Sequence, residues 1–294
     1  AGKKVIIVWI ILAFGSALFA GITAILAKVG VKKTDSMLAT AIRTIIILIF
    51  SWLMVFIAGS WTSIHTIDAK SFIFLILSGL ATGASWLCYF KALQLGDVNK
   101  VTPIDKFSTV LTMIFAFIIL GESITFAKFI GMTAIGVGTY MMLDIKKTQQ
   151  QKITGYAWLI YAVLSAVFAS LTAILAKIGI AGVESNLGTA IRTVVVLIMA
   201  WLMVFVTRKQ GEIRKIDRKS WVFLCLSGIT TGLSWLCYFK ALQDGEASIV
   251  VPIDKLSITI TVAFSYFFLK EKLTVKTFLG LVFIVAGTMV LLLP

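Results

Sequence analysis

Acidic residues, proline, cysteine and histidine are all scarce in this chain. Its 294 residues include 13 Asp and Glu against 27 Lys and Arg, with three prolines, three cysteines and one histidine. A single histidine cannot build a histidine metal cage, and His65 sits in a loop that reads as having no counterpart elsewhere in the chain. Cys88, Cys225 and Cys237 fall inside apolar runs without metal-ligand spacing and read as small core residues. Glycine-rich nucleotide loops and nucleophile elbows are missing, so neither a cofactor nor an enzymatic activity is expected. The shortage of acid leaves a net charge of +14. Those charges lie in short stretches between apolar runs rather than along one basic face, which argues against a nucleic-acid partner.

What the chain has in excess is hydrocarbon. Hydrophobic residues make up 60% of it, charged residues 14%, and the mean hydropathy is +1.03, too apolar for a soluble domain of this size. Apolar runs lie near 5–27, 36–58, 71–93, 102–120, 126–143, 155–175, 186–206, 221–242, 250–269 and 275–293. Most approach the roughly 20 residues a helix needs to cross about 30 Å of hydrocarbon. The first run follows Lys3 and Lys4 like a signal peptide, but its twin near 155–175 lies mid-chain, where no signal operates. The expected fold is an all-α integral membrane protein of ten transmembrane helices, with the lipid bilayer as its surroundings.

The chain also repeats itself. Residues 8–145 and 157–294 align without a gap at an offset of 149, with about half the positions identical. Thr23–Lys28 returns as Thr172–Lys177, Ser85–Gln94 as Ser234–Gln243, and Pro103–Lys106 as Pro252–Lys255. The expected units are a first repeat over 1–147, a linker over 148–154 and a second repeat over 155–294. Five spans per copy force the two copies to cross the membrane in opposite directions, and they are expected to face each other within a single chain. Eight basic residues belong to repeated motifs and cancel in a topology count. The other nineteen divide fifteen to four, which predicts a cytoplasmic linker and external termini in the cell membrane.

The costly residues are the ionised ones inside apolar runs, at roughly 2.5–3.5 kcal/mol each. Helical rise places Arg43, Lys91, Asp105 and Lys106 near one membrane face as a cluster, with Arg192, Lys240, Asp254 and Lys255 as its mirror at the other. Two readings stand: mutual neutralisation that locks packing, or an excess of positive charge that attracts an anionic substrate and gates access to it. Lys28 and Lys177, at helix ends, read as snorkelling. Gly79-x-x-x-Gly83 and Gly228-x-x-x-Gly232 predict close helix approach. Trp86 and Tyr89, with Trp235 and Tyr238, lie deep in their runs and read as cavity wall or as packing. Pro103 and Pro252 read as first-turn prolines.

Tyr89-Phe-Lys-Ala-Leu-Gln-Leu-Gly-Asp97, Pro103-Ile-Asp-Lys106, Leu120-Gly-Glu122 and Gly131 with Gly136 and Gly138, largely repeated in the second copy, resemble the EamA family of the drug/metabolite transporter superfamily. The resemblance is greatest to the short five-helix members, two of them joined in one chain. It implies inverted repeats around a central cavity and secondary transport of small metabolites by alternating access, without implying a substrate; the duplicated charged clusters beside the aromatic pairs make a small polar or anionic metabolite the expected one. It also implies cytoplasmic termini, against the charge count. Two other readings remain open: flippase-like handling of a phosphorylated lipid headgroup, and a non-transporting membrane protein, natural or engineered.

Overall fold

The computed structural model describes residues 2–30, 34–95, 101, 104–142, 156–267, 270 and 274–293. The first copy forms α1 (Gly2–Gly30), α2 (Ser36–Ile57), a 3-10 turn (Ser60–Thr66), α3 (Ala69–Leu95), α4 (Ser108–Ile119) and α5 (Phe126–Met141). The second forms α6 (Ala157–Gly179), α7 (Ser185–Val206), a 3-10 turn (Gln210–Lys215), α8 (Arg218–Asp244), α9 (Ala247–Lys255), α10 (Ser257–Phe267) and α11 (Val275–Val290). Among the described residues there is no strand. Among the described residues, seven helical segments are long and apolar enough to cross a membrane, with α9 and α10 counted as one, so the chain is a multi-pass membrane protein. Helices α4, α5 and α11 are shorter, at 12, 16 and 16 residues. The proposed linker lies outside the described residues.

The helices begin where acidic and hydroxyl side chains satisfy free backbone N–H groups. Asp35 accepts from Met37 and Leu38 at the start of α2, and Glu184, its counterpart, from Leu187 at the start of α7. Asp68 and its counterpart Asp217 accept from the N–H groups of Ser71 and Ser220 at α3 and α8. Thr125 and Thr274 repeat the arrangement at α5 and α11. Large apolar side chains such as Ile11, Phe56, Phe126, Ile198 and Val275 cover the outside, a surface suited to lipid rather than water.

The most extensive helix pairings join one copy to the other: α1 with α8, α3 with α6, α2 with α7, and α5 with α11. Lesser pairings between the copies also have counterparts with the copies exchanged, α2 with α8 matching α3 with α7, and α1 with α10 matching α4 with α6. Glycine makes the closest approaches possible. A Cβ at Gly79 would lie 2.9 Å from the Arg192 carbonyl and 2.7 Å from Val195 Cβ, and one at Gly228 would lie 2.8 Å from Ile46 Cβ. In α5 and α11, Gly131 faces the Gly287 carbonyl and Gly138 that of Gly280, and both contacts are mutual.

Four expectations are corrected. The stretch carrying His65 does have a counterpart, since both copies form a 3-10 turn there and Arg214 occupies the equivalent place. Cys225 is on the exposed outer face of α8, not in the core, because its run turns that side outward. Lys177 does not snorkel: its ammonium donates to the carbonyls of Leu242 and Gly245, each at 2.6 Å, and of Gln243 at 3.3 Å. Pro252 is the sixth residue of α9, not in its first turn.

Candidate functional site

Pro252 denies Ser248 a helical hydrogen bond and crowds its carbonyl, and the helix stops at Leu256 before resuming as α10. The first copy shows a similar interruption at Phe107, between a short helical stretch at 104–106 and α4. Each Ile-Asp-Lys segment therefore precedes a break in the helical chain. Around the second of them opens a cavity of about 480 Å³.

Seven of the expected residues line it: Arg43, Trp86, Arg192, Trp235, Tyr238, Asp254 and Lys255. Tyr89, Lys91, Asp105, Lys106 and Lys240 are not among its lining residues. Lys106 is exposed and feels the charges of Lys255 and Asp105. Tyr89 packs with Ala92, Val101 and Ala162, and Lys91 is exposed near the end of α3. The mirrored clusters do not assemble as expected. Lys240 turns to Asp244 at 3.0 Å and to Gln243, four and three residues further along its own helix, rather than to Asp254. Local helix geometry brings those partners closer than the next segment can.

The carboxylates are held by serines instead. Asp254 accepts a hydrogen bond from Ser16, whose hydroxyl lies 3.1 Å from that of Ser234. Asp105 accepts from Ser165 at 2.8 Å, and Ser165 lies 3.4 Å from Ser85. The arginines follow the same exchange rule: Arg43 Nη2 donates to Thr231 at 2.8 Å and Arg192 Nη2 to Thr82 at 2.9 Å. Thr231 and Thr82 in turn contact Thr23 and Thr172 at 3.4 Å. Every one of these contacts crosses between the copies, and the glycine contacts at Gly79 and Gly228 bring α3 against α7 and α8 against α2 for the arginine pairs.

The symmetry then breaks. Arg192 is 1% exposed, donates from Nε to Ser78 at 3.3 Å, and lies over Phe239 and Trp235 at 4.3 and 5.3 Å from the ring centres. At the equivalent place Arg43 Nε and Ser227 Oγ are buried and, among the described residues, have no hydrogen-bond partner. Arg192 Nη1 is also buried without one. Arg43 is thus the more loosely held of the two. Sequence reasoning missed Ser16, Ser165, Ser78, Thr82 and Thr231, since a hydroxyl in an apolar helix has the same signature as a small packing residue. A usable signal existed: each is identical at its position in both copies.

A polar contact surface closes the bundle on one side of the turn between α8 and α9. Glu122 accepts from the N–H groups of Ala247 at 2.6 Å and Ser248 at 2.9 Å, Lys177 holds the end of α8, and Lys128 pairs with Glu246. Position 277, equivalent to Lys128, is threonine, so that ion pair is not repeated in the sequence.

Comparison with known proteins agrees with this duplicated architecture. The family model for the EamA-like transporter family matches twice, over residues 7–144 and 156–293. An uncharacterized transporter from the cobO 3' region of a Sinorhizobium species is 46% identical over 135 residues, which are 46% of this chain and 96% of that protein. That relative is essentially one repeat long. An uncharacterized protein of Methanocaldococcus jannaschii is 36% identical over 90 residues, 31% of this chain and 66% of its own length. A solved crystal structure superposes with a TM-score of 0.76 over 96% of each chain at 16% identity, a likeness of fold alone. With both halves matched by one family model, the chain belongs to the EamA-like transporter family.

Proposed function

We propose that this protein is a secondary active transporter that moves a small anionic metabolite across the cell membrane by alternating access between two inverted repeats. The observation that carries the reading is the charge of the cavity wall: Arg43, Arg192 and Lys255 face one carboxylate, Asp254. Uncompensated charge away from water is costly, so the wall favours a ligand that supplies negative charge. Trp86 and Trp235 offer apolar surface beside the charges. The two arginines, equivalent in sequence but differently bonded, fit a molecule resting in one of two related states.

Counterflow in proteoliposomes tests this. Vesicles loaded with a panel of organic anions, amino acids and organic cations are diluted into medium containing the labelled solute. Uptake is expected with anions and at least about tenfold less in Arg43→Gln, on the scale of losing one charged hydrogen bond. Cation uptake that Arg43→Gln leaves untouched rules the reading out.

A further inference from the structure

The charge balance goes one step beyond the preceding reading, on which it rests. Among the described residues, three cations and one carboxylate leave the cavity wall with two positive charges in excess. The nearby pair Asp105 and Lys106 adds one charge of each sign and leaves that excess unchanged. Lys240 is neutralised outside the cavity by Asp244. Among the described residues, no other titratable side chain lining the cavity is charged at neutral pH, Tyr238 being a phenol.

The two guanidiniums come from equivalent positions of the two copies, and each is anchored through Nη2 to a threonine of the other copy. Each anchor leaves further N–H groups of the fork for an oxyanion, which guanidinium binds in a planar, charge-assisted geometry. Buried N–H groups on both, Nε of Arg43 and Nη1 of Arg192, lack a partner among the described residues. A buried donor without an acceptor is unfavourable, and both arginines stand in the wall of the same cavity.

We infer that the central cavity binds a dianion, carried either by two carboxylates or by one phosphate, with Arg43 and Arg192 engaging it from the two repeats. A single negative charge leaves one positive charge unbalanced, whereas a dianion closes the account. The cavity volume of about 480 Å³ leaves room for a small diacid or phosphomonoester with a planar body lying beside Trp86 and Trp235. The phosphate could belong to a free metabolite or to a lipid headgroup, and the chemistry is shared.

The test holds shape constant and varies charge. Purified full-length protein in nanodiscs of zwitterionic lipid is titrated with succinate, succinamate and succinamide, and with isophthalate, its monoamide and its diamide. Inorganic phosphate and a short-chain phosphatidic acid form separate arms. The expected result is a dianion at least about tenfold tighter than its monoamide, with the diamide weaker still. Arg43→Gln should reduce the dianion preference to less than about threefold, Arg43→Lys should keep most of it, and Asp254→Asn should strengthen it. Competition by phosphate assigns a soluble ligand, competition by the phosphatidic acid alone assigns a headgroup, and either supports the dianion. Equal binding of dianion and monoamide with rejection of the diamide overturns the dianion while leaving anion transport standing. Binding of neutral or cationic probes alone overturns both. A dianion preference that persists in Arg43→Gln, or no binding of any dianion at millimolar concentration, also overturns it.

Discussion

Ser78 and Ser227 occupy equivalent positions, yet only Ser78 holds an arginine. Ser78 also donates to the Thr172 carbonyl at 2.8 Å, whereas the Ser227 hydroxyl is buried without a partner. Ser78→Ala should therefore cost about 1 kcal/mol or more, and Ser227→Ala should be near neutral, since it removes an unpaired polar atom. Thermal melts of the two variants in the same detergent check this. Equal losses would mean that the two arginines share one environment in the resting protein. The same residues show where sequence reading stopped. Arg43, Arg192 and Asp254 were legible because charge in an apolar run is rare. Their hydroxyl partners were not, because serine and threonine are tolerated anywhere in a membrane helix and helical rise alone says nothing about which helices meet. For that reason Lys240 was assigned to Asp254 instead of Asp244.

At the level of helices, the caps make a pH prediction. Asp68 and Asp217 have lowered pKa values, chiefly from the hydrogen bonds given by Ser71 and Ser220. For Asp35 burial pulls the pKa up, but hydrogen bonding to Lys209 and to the backbone of Leu38 and Met37 outweighs it. A carboxylate with a depressed folded-state pKa contributes stability above its unfolded value near pH 4, and that stability is lost as pH falls through the folded value. Thermal stability should stay level from neutral pH to about pH 5 and decline below about pH 4. The decline should be smaller in Asp35→Asn, which has already lost part of the effect. The packing glycines make a second test. Gly79→Leu and Gly228→Leu each force apart helices whose backbones nearly touch, so both variants should lose folded yield on size-exclusion chromatography. These glycines were readable from spacing. The interruption after Pro252 was not, because proline suits a helix start as well as a break, and only the position of α9 decides which applies.

For the whole molecule, duplication was plain in the sequence, but not which helices of the two copies pair. The proposed inversion of the two repeats makes an orientation test available that uses equivalent positions. Thr62 and Gly211 lie in the two equivalent 3-10 turns. In a background lacking the three native cysteines, Thr62→Cys should react with an impermeant thiol reagent from outside the cell. Gly211→Cys should react only after the membrane is opened. Labelling of both from the same side would rule out inverted repeats, and the reverse pattern would overturn the orientation drawn from the charge count.

Because α1 pairs with α8 and α3 with α6, the first repeat's main helix partners are made only after it. A ribosome adds roughly 5–20 residues per second, so Arg43 waits on the order of ten seconds for Thr231, 188 residues further on, and Asp105 only about 3–12 seconds for Ser165, 60 residues further on. During those intervals Arg43 and Asp105 sit in the bilayer without Thr231 and Ser165, the hydroxyls that satisfy them in the finished protein. The nascent first half must be sheltered by the insertion machinery, pair with another copy of itself, or be degraded. Expression of residues 1–147 alone should yield a short-lived product in pulse-chase labelling, and co-expression of residues 155–294 should extend its lifetime several-fold. A long-lived monomeric half would show that each repeat carries enough internal packing to fold before its partner exists.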